Sequence, residues 1–222
     1  MNSITVNLGV PALAGCLKAA GKADVRFYLN GVHVDLEAGI IVGTNGNLLL
    51  AVSDAVEIEA DTPRPEGLKS FIVHRDVVAD MIKVAKACRV TTLTCEVATD
   101  GKTVSFGPSD SRRTVSTIDG HYPDWRRICP AKVSGEASTY DPQLCAQLAE
   151  AVTLAGGGAR LCATVLYQNG VDKPGVMEYA GRTSILGVIM PLRGPGSEGQ
   201  PASLAVAHGK AKVEAEPAKA AA

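Results

Sequence analysis

Residues 3–8 alternate apolar and polar side chains, the period of a half-buried strand. Val10-Pro11 then opens a helix that runs to about Gly21. Proline is harmless there, because the first amides of a helix have no partner within it. Leu13, Leu17 and Ala20 form the apolar stripe, with Lys18 and Lys22 on the wet side. Four β-prone runs follow at 25–29, 32–36, 40–44 and 48–58. Asn30-Gly31, Ala38-Gly39 and Asn45-Gly46 separate them as hairpin-type turns. Residues 62–67 form a proline-rich loop.

The order then returns twice. Phe71-Ile72-Val73 is a strand, and Asp76 caps a helix to about Cys88 with Val78, Met81, Ile82 and Ala85 on one face. Strands are expected near 90–97, 102–106 and 112–118. Residues 137–140 are extended, and Asp141 caps a helix to Leu154 with Leu144, Leu148 and Val152 as its stripe. Gly156-Gly157-Gly158 stops it. Strands are expected again near 160–168, 175–180 and 184–190. Pro11, Asp76 and Asp141 are each 65 residues apart, so the chain reads as three repeats of a helix laid on an antiparallel sheet. That is an α+β fold. Beyond Gly194 the composition turns to Ala, Pro, Gly, Lys and Glu, and 196–222 read as a disordered tail.

Composition narrows the function. The chain has 222 residues, 46% hydrophobic and 20% charged, with a formal net charge of −1. It is globular, and any nucleic-acid contact must come from a local basic face. The opening Met1-Asn2-Ser3-Ile4-Thr5-Val6 does not read as a signal peptide, no apolar run is long enough to span a bilayer, and the six cysteines are scattered without a Cys-x-x-Cys pair. These features predict a cytoplasmic protein with reduced thiols. The four histidines lack metal-ligand spacing, and His33, in an alternating strand, reads as solvent-facing. His74-Arg75-Asp76 matches three letters of a kinase loop without the accompanying glycine-rich and Asp-Phe-Gly motifs. No catalytic residue, metal site or cofactor emerges, so the reading is a non-enzyme.

One stretch organises the chain: Asp119-Gly120-His121-Tyr122-Pro123-Asp124-Trp125-Arg126-Arg127-Ile128-Cys129-Pro130. Two prolines hold it away from helix, and two arginines stand beside a tryptophan. It reads as a segment crossing the outside of a domain and walling a groove, or as a plain interdomain linker.

Four motifs together resemble the bacterial sliding clamp, the β subunit of DNA polymerase III. They are Val25-Arg26-Phe27-Tyr28-Leu29-Asn30-Gly31-Val32, Val42-Gly43-Thr44-Asn45-Gly46-Asn47, the stretch 119–130, and Gly187-Val188-Ile189-Met190-Pro191-Leu192-Arg193. Asn45, Asn47 and Leu48 depart from the family's Asp, His and Arg. The resemblance implies a DNA-clamp fold shortened to three half-domains: 1–130 like the family's middle domain, 131–195 like its C-terminal half-domain, and 196–222 as a tail. It implies a peptide-binding groove from Leu29, Thr44, Gly46, Leu49, Pro123, Arg127, Ile128, Val188, Met190, Pro191, Leu192 and Arg193. It also implies helices facing double-stranded DNA without sequence preference, through Lys18, Lys22, Tyr28, Arg75, Lys83, Lys86 and Arg89. The third helix carries Asp141 and Glu150 and no base. Expected partners are DNA, and polymerase and clamp-loader subunits bound through linear motifs. Twelve half-domains close the family's ring, so a homo-oligomer of about four copies would be needed. The alternatives are a monomeric clamp mimic that competes for partners without encircling DNA, and an unrelated α+β enzyme. The tail's cluster Leu204-Ala205-Val206 is a candidate competitor for the groove, against the plainer reading of an inert tail.

Overall fold

The computed structural model describes residues 3–60, 67–158 and 163–192. The loop at 61–66, Cys162, Arg193 and the tail lie outside them. The first unit holds β1 (Ser3–Gly9), α1 (Val10–Ala19), β2 (Gly31–Asp35), β3 (Ile40–Thr44), β4 (Leu48–Val52) and β5 (Val56–Ile58). The second holds β6 (Ser70–His74), α2 (Arg75–Cys88), β7 (Thr92–Ala98), β8 (Thr103–Phe106) and β9 (Arg113–Ser116). The third holds α3 (Pro142–Ala155), β10 (Thr164–Tyr167), β11 (Gly175–Tyr179) and β12 (Arg182–Ile189). The α+β reading and its three helix-bearing units are therefore correct.

The strands form two antiparallel sheets, ordered β5-β1-β7-β8-β9 and β10-β11-β12-β4-β3-β2-β6. The first two units exchange leading strands: β1 pairs with β7 of the second unit, and β6 pairs with β2 of the first. The third unit joins through β12, which runs beside β4 with Leu49 opposite Val188. All three helices cover the inner faces of the sheets, and one core of buried side chains runs through them. Each fully buried aliphatic residue there, such as Leu13, Met81 or Leu148, is worth roughly 1.5–3 kcal/mol.

Both outer helices bury one stripe at i, i+3, i+4 and i+7: Val78, Met81, Ile82 and Ala85 in α2, and Leu148, Ala151, Val152 and Ala155 in α3. α1 lies between them and has no single stripe; Val10, Ala12, Leu13, Gly15, Cys16 and Ala19 are all buried, while Leu17 is only half-buried. Its approach is close. A Cβ on Gly15 would lie 2.6 Å from the Ala151 carbonyl oxygen, and one on Gly43 would lie 2.0 Å from that of Cys16. Asp141 caps α3 by accepting from the Gln143 amide at 2.8 Å. α2 differs from expectation: His74 is its cap, its Nδ1 accepting from the Asp76 amide at 3.3 Å, and Asp76 sits in the first turn. There its charge favours the helix dipole.

Three further expectations change. Residues 25–29 are not a strand; Phe27–Asn30 is a 3-10 turn. The Asn30 side chain accepts from the Asp24 amide and donates to the Asp24 carbonyl, both at 2.8 Å, closing the segment on itself. The run 48–58 breaks at 53–55, where Asp54 has φ +54°, and β5 crosses to the other sheet. Residues 137–140 belong to no ladder.

Candidate partner groove and helix face

The outer face of the seven-stranded sheet carries a second apolar cluster. Val42, Leu49, Ala51, Ile72 and Val188 project from the strands, and Leu29, Tyr122 and Trp125 cover them. The stretch 119–130 thus crosses the outside of the sheet as a strap. Despite its prolines it contains one 3-10 turn, Trp125–Ile128, because Pro123 and Pro130 lie just outside that turn. Arg126 stacks 4.5 Å over the Trp125 ring and bonds the Asp35 carboxylate at 3.0 Å. Burial opposes a low pKa for Asp35, yet the Ala38 amide and Arg126 outweigh it and hold its carboxyl below the usual range.

His33, expected in solvent, is buried under this strap with its ring stacked on Tyr122. Desolvation pulls its pKa down to about 4. The His33 Nδ1, Tyr122 Oη and Trp125 Nε1 atoms are buried without a hydrogen-bond partner among the described residues. No motif signalled this stack, since Tyr122 and His33 are far apart in sequence.

The residues carried over for the groove mostly converge here. Leu49 is opposite both Val188 of β12 and Thr44 of β3. The Thr44 hydroxyl donates to the Leu48 carbonyl at 2.6 Å and accepts from the Gly46 amide at 3.1 Å, fixing the 45–47 turn. Gly46 needs its φ of +89°, and the Arg26 guanidinium, paired with Asp24 at 2.8 Å, packs on it. The Met190 amide donates to the Asn47 carbonyl at 2.9 Å. Met190, Arg127 and Ile128 then line one cleft with Cys129, Lys132 and Pro174. Ile128 is 41% exposed and Leu192 48% exposed, so apolar surface is open beside this cleft; Pro191 is half-buried. Leu29, Leu49 and Val188 are its buried support rather than open wall. Pro123 does not join it: it is exposed and lines a neighbouring cleft with Asp119, His121 and Arg126. Arg193 lies outside the described residues. The sequence missed Lys132, in the segment leading to α3, and Asn169 and Lys173, in the loop between β10 and β11, which also line the cleft. Asn169 is buried, accepting from the Ser134 amide at 2.9 Å and donating to the Pro174 carbonyl at 3.1 Å.

On the opposite side, Lys18, Lys22, Arg75 and Lys86 line a shallow groove across the three helices, together with Gln143, Gln147 and Glu150. Lys18 pairs with Glu150 at 2.7 Å, and Lys83 pairs with Asp80 at 2.9 Å. Arg75 is turned inward, donating to the carbonyls of Ala20 and Gly21 at the end of α1. Among the described residues Lys22, Lys86 and Arg89 make no ion pair; Arg89 is the left-handed cap of α2, φ +57°. Tyr28 is not on this face: it packs against the outer cluster, edge-on to Phe27 at 5.6 Å, because the 24–30 turn carries it to the other side of the sheet.

Among the described residues no three His, Cys, Asp or Glu side chains gather as a metal site, and no helix is long and apolar enough to cross a membrane. No family model matches the chain, and no curated protein matches it by sequence. Solved structures do. The DNA polymerase III β subunit of Thermotoga maritima superposes with a TM-score of 0.68 at 13% identity, over 88% of this chain and 67% of that one. The Caulobacter crescentus polymerase III β protein gives 0.61 at 17% identity, over 87% and 66%. The DnaN sliding clamp of Bartonella birtlesii, solved bound to griselimycin, gives 0.63 at 16% identity, over 86% and 66%. The chain spans about two thirds of the length of these proteins. The fold of this chain is that of the bacterial sliding clamp, the β subunit of DNA polymerase III.

Proposed function

We propose that the chain acts as a non-enzymatic, sliding-clamp-like processivity factor in cytoplasmic DNA replication or repair. Its outer cleft takes linear peptide motifs of polymerases, clamp-loader subunits and related partners. The observation that carries this reading is the pairing of β12 with β4. It sets Leu49 opposite Val188 and brings Met190 to the cleft beside Arg127 and Ile128. Two of the motif stretches, 119–130 and 187–193, thereby meet at one cleft with a basic rim of Arg127, Lys132 and Lys173, over buried support from the other two, suited to an aliphatic or aromatic anchor of an acidic or neutral peptide. In this reading residues 1–130 work as a two-unit domain, 131–195 as a half domain and 196–222 as a tail. Hydrogen exchange tests it: adding a peptide with a clamp-binding motif should slow exchange in 127–132 and 188–192 and leave α1 and α2 unchanged. Protection confined to the helices, or none, contradicts it.

Encirclement of DNA by a homo-oligomer is the extended form of the proposal, with Lys22 and Lys86, which make no ion pair among the described residues, facing the phosphates from the helix groove. A monomeric clamp mimic is the second reading. It is favoured by the pairing of Lys18 with Glu150 and of Lys83 with Asp80, which leaves fewer free charges for phosphate. Retention on nicked circular DNA that is lost on linearisation separates the two.

A further inference from the structure

The cleft on the other side of the strap takes no part in the proposed peptide site. It encloses about 860 Å³ between the strap and the turn that joins β7 to β8, with residues of β6 and the end of β9 also lining it. That is the size of a site for a drug-sized ligand. Trp125 and His33 line it and are 8% and 9% exposed. Their Nε1 and Nδ1 atoms are buried without a hydrogen-bond partner among the described residues. A buried polar atom left unpaired is costly, so each calls for a partner that those residues do not supply.

The rim of this cleft is acidic. Asp100, Asp119 and Asp124 line it, all exposed, and none is in an ion pair among the described residues. Lys102, also unpaired there, is the opposing charge, while Arg126 is committed to Asp35 at 3.0 Å. Two needs thus meet in one place. The Trp125 Nε1 atom can only donate and wants an acceptor, and the carboxylates want a cation. A polyamine brings cations without an acceptor, and a phosphate brings acceptors without a cation. A basic peptide brings both, in its carbonyls and its side chains. Arginine suits the site better than lysine, because its planar guanidinium pairs with carboxylates bidentately and stacks on aromatic faces.

We propose that this cleft is a second binding site, taking an arginine-bearing peptide segment of a partner protein. A main-chain carbonyl of the segment accepts from Trp125 Nε1, and its guanidinium groups pair with Asp119 and Asp124. The site is distinct from the cleft at Met190. Arg126 borders one and Arg127 the other, so the strap divides two clefts whose rims are opposite in charge. The proposal does not rest on the clamp-motif reading, since a basic peptide without an apolar anchor tests it alone.

Trp125 is the chain's only tryptophan, so intrinsic fluorescence reports on this cleft directly. The probe is a blocked glycine pentapeptide carrying two arginines, titrated into the full chain. The expected result is a saturable change in emission that weakens with added salt. The D119N/D124N variant, altered only at exposed side chains, should bind the peptide about fivefold more weakly, the range of two exposed ion pairs. Lys102→Gln, which removes the opposing charge, should bind it more tightly. Spermidine, and the same peptide with glutamate in place of arginine, should give no saturable change. The proposal is overturned by the absence of a saturable response to the arginine peptide. Equal affinity in the unaltered protein and both variants overturns it too, as does spermidine or the glutamate peptide binding as tightly.

Discussion

The imidazole of His33 lies flat on the ring of Tyr122, with centroids 4.6 Å apart and 8° between the planes. The stack is buried, and the neutral ring is the form it favours. Burial lowers the His33 pKa to about 4, with Arg126 and His121 adding to the effect and Asp35 opposing it. The unfolded chain, with an ordinary His, binds the proton nearer pH 6.5. Between those values the unfolded state therefore holds more protons, and stability falls as pH drops from about 6.5 to 4. The full loss is about 3 kcal/mol. His33→Phe keeps a flat ring on Tyr122 and should flatten denaturant midpoints over that window. Identical profiles for both proteins would remove His33 as the cause.

α1 rests on bare backbone at Gly43. A Cβ there meets the Cys16 carbonyl oxygen at 2.0 Å, a contact with backbone that no rotamer relieves. Gly43→Ala should cost about 3 kcal/mol or more in chemical denaturation. An unchanged midpoint would mean that helix and strand are farther apart than described.

Arg75 is a structural cation. Its guanidinium satisfies carbonyls at the C-terminal end of α1 that the helix cannot pair itself. Arg75→Ala should lower stability by about 1.5–3 kcal/mol, typical of a charged hydrogen bond. The same variant should change DNA retention far less than changes at Lys22 or Lys86.

Those two lysines carry the DNA prediction. Replacing both with Glu should weaken retention on DNA and reduce the slope of log affinity against log salt by about 2. Titrations at several salt concentrations measure that slope. An unaltered slope would take the helix face out of DNA binding and favour the clamp mimic.

Much of the fold was legible because α2 and α3 each bury one side, which leaves a clean stripe at 78–85 and 148–155. α1 was less so, since burial between two helices erases periodicity. The 25–29 run looked like a strand by composition, but Asp24, Arg26 and Asn30 spend their polar groups on a local loop, and Val25 ends 98% exposed. Alternation placed His33 on one face of its strand without revealing that the 119–130 strap covers that face. For the groove, motifs supplied Leu49, Val188 and Met190. They could not supply Asn169 or Lys173, whose place depends on how the third unit docks, nor show that Pro123 and Tyr28 point elsewhere.

The groove itself is tested most directly by a fluorescence-anisotropy titration of a clamp-motif peptide into the intact protein and its Met190→Ala variant. The account predicts saturable binding, weakened in the variant by about 1–2 kcal/mol as for an interface anchor. No binding to the intact protein, or equal affinity for both, would contradict it.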